Sequence, residues 1–166
     1  GSTDSILLNH NSVIRLLAPR DDVRHVIELE EGEIWARMID RQARFHIRFG
    51  GTEDMGLYGT HAELNVAFGL SMADLLAPRA LTSTIKGRPL VLVRVLEGSA
   101  SLRQSGQPTI ELGAGETWVI TEERLAVRVE DPDASDYVSL RLDRHRRFKQ
   151  RWEWLDLERF PLSREV

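Results

Sequence analysis

The chain has 166 residues, of which 42% are hydrophobic and 29% charged, and its formal net charge is −4 at pH 7. This length suits one domain with its own core, and the acidic balance argues against nucleic-acid binding. Cysteine is absent, which excludes disulfides and thiolate metal sites, and no apolar run reaches the roughly 18 residues that a membrane-spanning helix needs.

The N-terminal half consists of short apolar segments separated by turn residues. Residues 1–5 are interpreted as a tag remnant, which is Gly1-Ser2, followed by a short leader. Alternation is clear in Phe45, Ile47 and Phe49, between which Arg44, His46 and Arg48 fall on the opposite face, a pattern typical of half-buried antiparallel strands. Glu31-Gly32 is predicted to be a turn between two strands. The predicted strands of this half are 6–8, 13–17, 23–29, 34–38 and 45–49.

The same pattern continues after Gly50-Gly51. The segment 55–68 is strand-like at both ends, and Gly56 and Gly59 indicate a bulge or a close backbone approach. Residues 69–89 are predicted to be a long excursion. Glu97-Gly98 is predicted to be a turn, as is Gly113 to Glu116. The remaining predicted strands are 90–96, 99–103, 109–112, 117–121 and 125–129, with 137–142 either a last strand or the start of a helix.

The periodicity changes near the C-terminus. Phe148, Trp152 and Leu155 stand at i, i+4 and i+7, which predicts an amphipathic helix over residues 143–157. The turn spacing of roughly 8–12 residues predicts an all-β domain. We therefore expect a β-sandwich or β-roll of short, mostly antiparallel strands over residues 6–142, followed by a C-terminal α-helix and tail over residues 143–166.

The order of these elements resembles the FecR family, the extracytoplasmic domain of bacterial cell-surface signalling regulators. Each motif alone is common in β proteins, so the order carries the resemblance. The matching segments are Leu8-Asn9-His10-Asn11-Ser12-Val13-Ile14-Arg15, residues 26–38, Phe45-His46-Ile47-Arg48, Gly59-Thr60 with Leu64-Asn65-Val66, Val93-Arg94-Val95-Leu96-Glu97-Gly98 and Leu112-Gly113-Ala114-Gly115-Glu116.

The resemblance implies a non-catalytic extracytoplasmic domain that senses a ligand or binds a protein partner, located in the periplasm or an equivalent compartment. It implies no enzymatic activity and no cofactor, and it is compatible with a small-molecule ligand and with a membrane anchor in the full-length chain. The segment 69–89 is longer than the usual link of the family, and no sigma-binding helices are predicted from this sequence. A sensor role is therefore a safer expectation than an anti-sigma role.

Candidate interaction residues lie near the C-terminus. The segment 141–151 is strongly basic, and basic helices can bind phosphate or anionic lipid, although a solvated helix face is the simpler interpretation. Arg144, Arg147, Trp152 and Trp154 are the residues we expect to contact a partner. Trp35 and Trp118 are expected to pack in the core.

His46, His61 and Glu63 could form a metal site, because imidazole and carboxylate are metal ligands. Exposure on the polar face of half-buried strands is the favoured interpretation, and no metal is predicted. Two alternatives to the sensor remain. One is a cupin-like small-molecule-binding β-barrel, suggested by the segment 96–116 although the chain has no His-x-His motif. The other is a carbohydrate-binding β-sandwich with exposed tryptophans.

Overall fold

The structure is a computed structural model that describes residues 4–9, 11–69, 85, 87–130 and, for the backbone, 153–156. This part of the chain contains eleven β-strands and no helix, hence none long and apolar enough to cross a membrane. The strands are β1 (Ser5–Leu8), β2 (Val13–Leu17), β3 (Val23–Met38), β4 (Arg44–Phe49), β5 (Thr52–Gly59), β6 (Ala62–Phe68), β7 (Pro89–Gln104), β8 (Ile110–Gly113), β9 (Thr117–Thr121), β10 (Ala126–Val129) and β11 (Glu153–Asp156).

Two 16-residue strands, β3 and β7, belong to both of the sheets that build the fold. Sheet A has the order β11-β1-β3-β6-β7-β9-β10, and sheet B has the order β2-β3-β4-β5-β7-β8. Because both sheets share β3 and β7, the strands β3, β4, β5, β7 and β6 close into a barrel. Among the described strands, all pairings are antiparallel except that of β3 with β4, which is parallel.

The core fills the space between the two sheets. Every second residue of the barrel strands points inward, and the inward side chains are almost fully buried. Full burial of one such aliphatic side chain contributes roughly 1.5–3 kcal/mol. Among the most buried are Ile27, Leu29, Ile34, Ile47, Leu57, Leu64, Val66, Val93 and Leu102.

Two glycines that the sequence predicts to be turns are instead corners inside continuous strands. Gly32 lies within β3 and Gly98 within β7, with φ of 105° and 75°. A positive φ is accessible to glycine without a Cβ penalty, so each strand bends and passes from one sheet to the other without breaking. The separate strands predicted on either side of Glu31-Gly32 and Glu97-Gly98 are therefore wrong.

The predicted C-terminal helix is also wrong where it can be compared. Of residues 143–157, the structure describes 153–156, which form β11 and pair antiparallel with β1. Tryptophan has a high strand propensity, and β1 offers an edge whose backbone groups need partners. Edge pairing therefore prevails over the helical spacing. The all-β prediction agrees with the structure, whereas the sandwich or roll is a closed barrel.

Buried polar side chains connect strands that are distant in sequence. Asn65 donates to Glu33 Oε2 at 3.0 Å and accepts from Arg94 at 2.9 Å, so β3, β6 and β7 are linked across sheet A. Asn9 donates to the other oxygen of Glu33 at 2.8 Å. All three of Glu33, Asn65 and Arg94 are at most 1% exposed. Charged groups this deep are tolerated because they are paired.

Asp4 holds the segment that precedes β1. One carboxylate oxygen accepts from the amides of Ile39 and Asp40 at 2.7 and 2.9 Å, and the other lies 3.0 Å from His25 Nε2. Burial raises the pKa of Asp4, but these hydrogen bonds outweigh it and the pKa is lowered. Asp4 is therefore a carboxylate that fixes the start of β1 against β3.

Candidate functional site

The outer face of sheet B carries two rows of residues across its strands, most of them polar. The first row joins Val26, His46, Tyr58 and Ser101 on β3, β4, β5 and β7. The second row joins Arg15, Glu28, Arg48, Gly56 and Arg103 on β2, β3, β4, β5 and β7. The cross-strand register thus brings arginines from both halves of the chain onto one surface.

Tyr58 is the centre of this surface. The His46 ring stacks on Tyr58 with centroids 4.1 Å apart and an interplanar angle of 14°, and the Arg103 guanidinium lies 4.3 Å from the Tyr58 centroid. An arginine over an aromatic ring gains cation–π energy. The ring therefore fixes both neighbouring side chains in place.

Gly56 makes room for the His46 ring. A Cβ on Gly56 would lie 2.5 Å from His46 Nε2, which is too short unless the ring shifts, and 3.3 Å from Tyr58 Cε2, which is a tight contact. His46 consequently lies over the β5 backbone, between Arg48 and Arg103 of the second row.

The environment of His46 keeps it neutral. Burial and, to a smaller extent, the positive charges of Arg48, Arg103 and Arg20 together lower the pKa of His46 to about 4. Both burial and nearby cations disfavour the protonated imidazole. At neutral pH the positive charge of this surface therefore comes from arginine, and His46 offers one N–H donor and one nitrogen acceptor.

Two cavities flank Tyr58 on this surface and share Val23 as a second wall residue. The first, of about 320 Å³, lies toward β7 and is lined among others by Arg44, Thr60 and Arg103. The second, of about 520 Å³, lies toward the β2–β3 corner and is lined by Arg20, Asp21, Val23, Val26, His46, Arg48, Glu53 and Tyr58. Together they form a groove, which we call the Tyr58 groove.

The walls of the Tyr58 groove are weakly positive although the chain is acidic. They contain Arg20, Arg44, Arg48 and Arg103 against three carboxylates, Asp21, Asp22 and Glu53, whereas the whole chain has a net charge of −4. Arg44 is paired with Asp22 at 2.6 Å. Such a local excess attracts anions.

Three of the four predicted interaction residues cannot be placed relative to this groove. Arg144, Arg147 and Trp152 lie outside the described residues, as does the whole basic segment 141–151. Trp154 is in β11, where its backbone is opposite Leu7.

The tryptophans expected in the core lie on sheet A. Trp35 is half-buried with Arg37 over its ring at 5.0 Å. Trp118 packs against the core and donates to Glu116 at 3.2 Å. Trp118 therefore packs against the core as expected, whereas Trp35 is not part of the core cluster.

The three residues weighed as metal ligands are in different surroundings. His46 stacks on Tyr58, Glu63 pairs with Arg37 at 3.4 Å, and His61 lines the first cavity. In the described part of the chain, no group of three or more histidine, aspartate or glutamate side chains is arranged to hold a metal ion.

Sequence reasoning missed Tyr58 and Arg103 as site residues. The alternation of Arg44, His46 and Arg48 does place these three on the polar face of β4. Arg103, however, reaches them only through the pairing of β5 with β7, which no local pattern reveals. The glycine at position 56 was the available signal, because glycine in a strand marks a close approach of other atoms.

Comparison with known proteins identifies the fold. No family model matches the chain, and no curated protein matches it. Two crystal structures of a candidate anti-sigma factor from Parabacteroides distasonis are similar, at 1.65 and 2.50 Å resolution, with TM-scores of 0.56 and 0.54 and 16% sequence identity in both cases. The alignments cover 93% of this chain and 76% and 78% of the solved chains. The chain therefore shares the fold of these proteins.

Proposed function

We propose that this chain is a regulatory domain of a signalling protein that acts by binding and not by catalysis. The observation that carries the proposal is the fold likeness to a candidate anti-sigma factor along 93% of the chain. The FecR-like order of sequence motifs supports it independently, because that family also consists of signalling regulators. At this level of identity the likeness concerns the fold, so the role itself is our inference.

In its finer form, the proposal is a FecR-like extracytoplasmic sensor with a protein partner, placed in the periplasm or an equivalent compartment. The Tyr58 groove is the surface that we assign to ligand or partner binding. Its support is the convergence of arginine and aromatic side chains from four strands, since arginine and tyrosine are enriched at binding hot spots.

The regulatory role is tested in the source organism by exchanging residues 6–142 of the full-length gene for an unrelated β domain of similar size. We expect a discrete set of transcripts to change and to return when the native domain is restored. Immunoblotting controls for the amount of protein. An unchanged transcript profile at equal protein level contradicts the proposal.

The location is tested separately by inserting the reporter directly after residue 166 of the full-length gene, with alkaline phosphatase in one fusion and, in the other, a fluorescent protein that matures only in the cytoplasm. The extracytoplasmic form of the proposal predicts phosphatase activity without fluorescence. Fluorescence without phosphatase activity would contradict the extracytoplasmic location. The regulatory role would then still be decided by the transcript experiment.

A further inference from the structure

Arg48 and Arg103 flank Gly56 on three neighbouring strands. Adjacent strands are about 4.8 Å apart, so the two arginine backbones are separated by about 10 Å. Position 56 contributes no side chain between them, and the His46 ring lies over it. Two long guanidinium side chains at this separation can converge on one acceptor group above the sheet.

The two arginines differ in how their charge is balanced. Arg48 lies 3.8 Å from Glu28, which is shared with Arg15 at 3.2 Å. Arg103 is exposed and contacts the Tyr58 ring, and no carboxylate of the described residues forms an ion pair with it. The region over Gly56 thus carries positive charge that the described part of the protein compensates only in part.

The charge of the walls selects the kind of anion. Four arginines face three carboxylates around the Tyr58 groove, an excess of one positive charge. A single carboxylate balances this excess, whereas a phosphate dianion exceeds it by one charge and is repelled about twice as strongly by Asp21 and Glu53. A carboxylate also matches the planar donor pair of a guanidinium in a bidentate hydrogen bond.

We propose that Arg48 and Arg103 together bind one carboxylate group over Gly56, with the remainder of the ligand in the Tyr58 groove. The inference rests on the proposed function, because it names the ligand chemistry of the same surface. The carboxylate belongs either to a small organic acid or to an acidic side chain of a partner. Val23 and Val26 supply apolar contact, and Tyr58 fixes the Arg103 guanidinium before the ligand arrives.

The proposal is tested by NMR on the purified chain, with the Gly56 amide and the His46 ring as reporters. The probes are sodium benzoate for a small acid and a blocked Ala-Glu-Ala tripeptide for an acidic side chain, with the Ala-Gln-Ala tripeptide and inorganic phosphate as comparisons. We expect saturable shifts at Gly56 with benzoate or with the glutamate peptide, with a Kd of about 1 mM, and weaker effects from the glutamine peptide and from phosphate.

Carboxylate binding must also raise the pKa of His46, because a nearby negative charge favours the protonated ring. A ligand that binds elsewhere would leave the pKa unchanged. The charged or titratable groups that face His46 from the surrounding elements are Arg20, Asp21, Glu28, Arg48, Glu53, Tyr58 and Arg103. The same groups surround His46 with and without the ligand, so a change in its pKa on titration is caused by the added carboxylate.

Arg103→Gln is expected to weaken carboxylate binding about tenfold or more, since a charge-assisted bidentate contact is lost. Arg103→Lys keeps the charge and loses the planar fork, so we expect an intermediate loss. Arg128→Gln is the matched control, because it makes the same change in net charge on β10, where Arg128 pairs with Glu116 at 3.1 Å. Thermal unfolding verifies that each variant is folded.

The proposal is overturned if neither carboxylate probe saturates, if phosphate binds more tightly than both, or if Arg128→Gln weakens binding as much as Arg103→Gln. If benzoate binds and the glutamate peptide does not, the site is assigned to small organic acids. If the glutamate peptide binds and benzoate does not, the site is assigned to an acidic side chain of a partner. Absence of carboxylate binding alongside a transcript change on domain exchange would remove this inference and retain the regulatory role.

Discussion

His46 shows how closely its neighbours control a single titratable group. Its pKa is lowered to about 4 by burial and by three arginine charges, against an ordinary value of about 6.5. Between these two values the unfolded chain binds a proton that the folded chain does not. The corresponding stability is therefore fully present above about pH 6.5 and is lost as the pH falls toward 4.

We expect the free energy of unfolding to decrease between pH 6.5 and 4.5 by an amount of which His46 contributes about 2 kcal/mol. Urea unfolding at several pH values measures it, and His46→Gln is the comparison because it removes the titrating ring. Equal pH slopes for the two proteins between pH 4.5 and 6.5 would show that His46 titrates normally. Asp4 does not interfere, because its pKa is lowered and it titrates below this range.

Asn65 is the residue on which the buried polar network depends. It is fully buried and stands between the Glu33 carboxylate and the Arg94 guanidinium. Removing its amide leaves buried charged groups with fewer partners, which is far more costly than losing an exposed contact.

Asn65→Ala should lower the free energy of unfolding by about 3 kcal/mol. Glu63→Gln, two residues away on β6, breaks the half-exposed pair with Arg37 and should cost less than about 1 kcal/mol. Chemical denaturation of both variants measures the two effects. Similar losses would mean that Asn65 does not connect the buried charges.

At the scale of the strands, the corners of β3 and β7 decide the architecture. At Gly32 the chain needs both a positive φ and an absent side chain, because a Cβ there would overlap Ser12 Oγ and lie 2.6 Å from Ser12 Cβ. Ser12 in turn exchanges hydrogen bonds with the backbone of Glu33 at 3.0 and 2.9 Å. The corner is therefore packed against the β1–β2 connection.

Gly32→Ala should destabilise the fold by about 3 kcal/mol, from the φ penalty and the steric overlap together. Gly51→Ala separates the two contributions, since Gly51 has φ of 72° with no atom within 4 Å of the added Cβ, and it should cost about 1 kcal/mol. Thermal and urea unfolding compare them. If both substitutions lower the free energy of unfolding equally, the added Cβ at position 32 is accommodated beside Ser12 without a steric penalty.

The sequence was sufficient to predict the class of these elements but not their continuity. Period-two alternation such as Phe45, Ile47 and Phe49 reports which residues face the core, because that depends on the local chain alone. Glycine tolerates a positive φ, and this property suits both a turn and a bend within a strand. The sequence around Gly32 and Gly98 therefore predicts turns, although both residues are bends in continuous strands. Whether a chain reverses or bends there is decided by β6 and β4, which pair with β3 on opposite sides of the bend.

The candidate site could be predicted only in the part that lies on one strand. His46 and Arg48 share the polar face of β4, and that face is visible in the sequence. The contribution of Arg103 depends on long-range register, as does the pairing of Glu153–Asp156 with β1. These four residues lie in the segment predicted to be helical, and they form a strand because the edge of β1 is available for pairing.

For the molecule as a whole, β11 completes sheet A by covering the edge of β1. A chain that ends after Trp152 lacks β11 and should lose about 2 kcal/mol of stability and aggregate more readily, because exposed edges pair with other chains. A chain that ends after Asp156 retains β11 and serves as the control. Unfolding curves and light scattering measure both effects, and identical behaviour would show that β1 needs no cover.

The antiparallel pairing of β1 with β11 also has a mechanical consequence. Ser5 lies opposite Asp156 and Leu8 opposite Glu153, so the polypeptide enters β1 and leaves β11 at the same end of the pair. Tension applied between these two points loads the hydrogen bonds one after another, as in a zipper, and not all at once in shear. The barrel would therefore yield first at this pair under pulling, while its glycine-cornered strands stay intact.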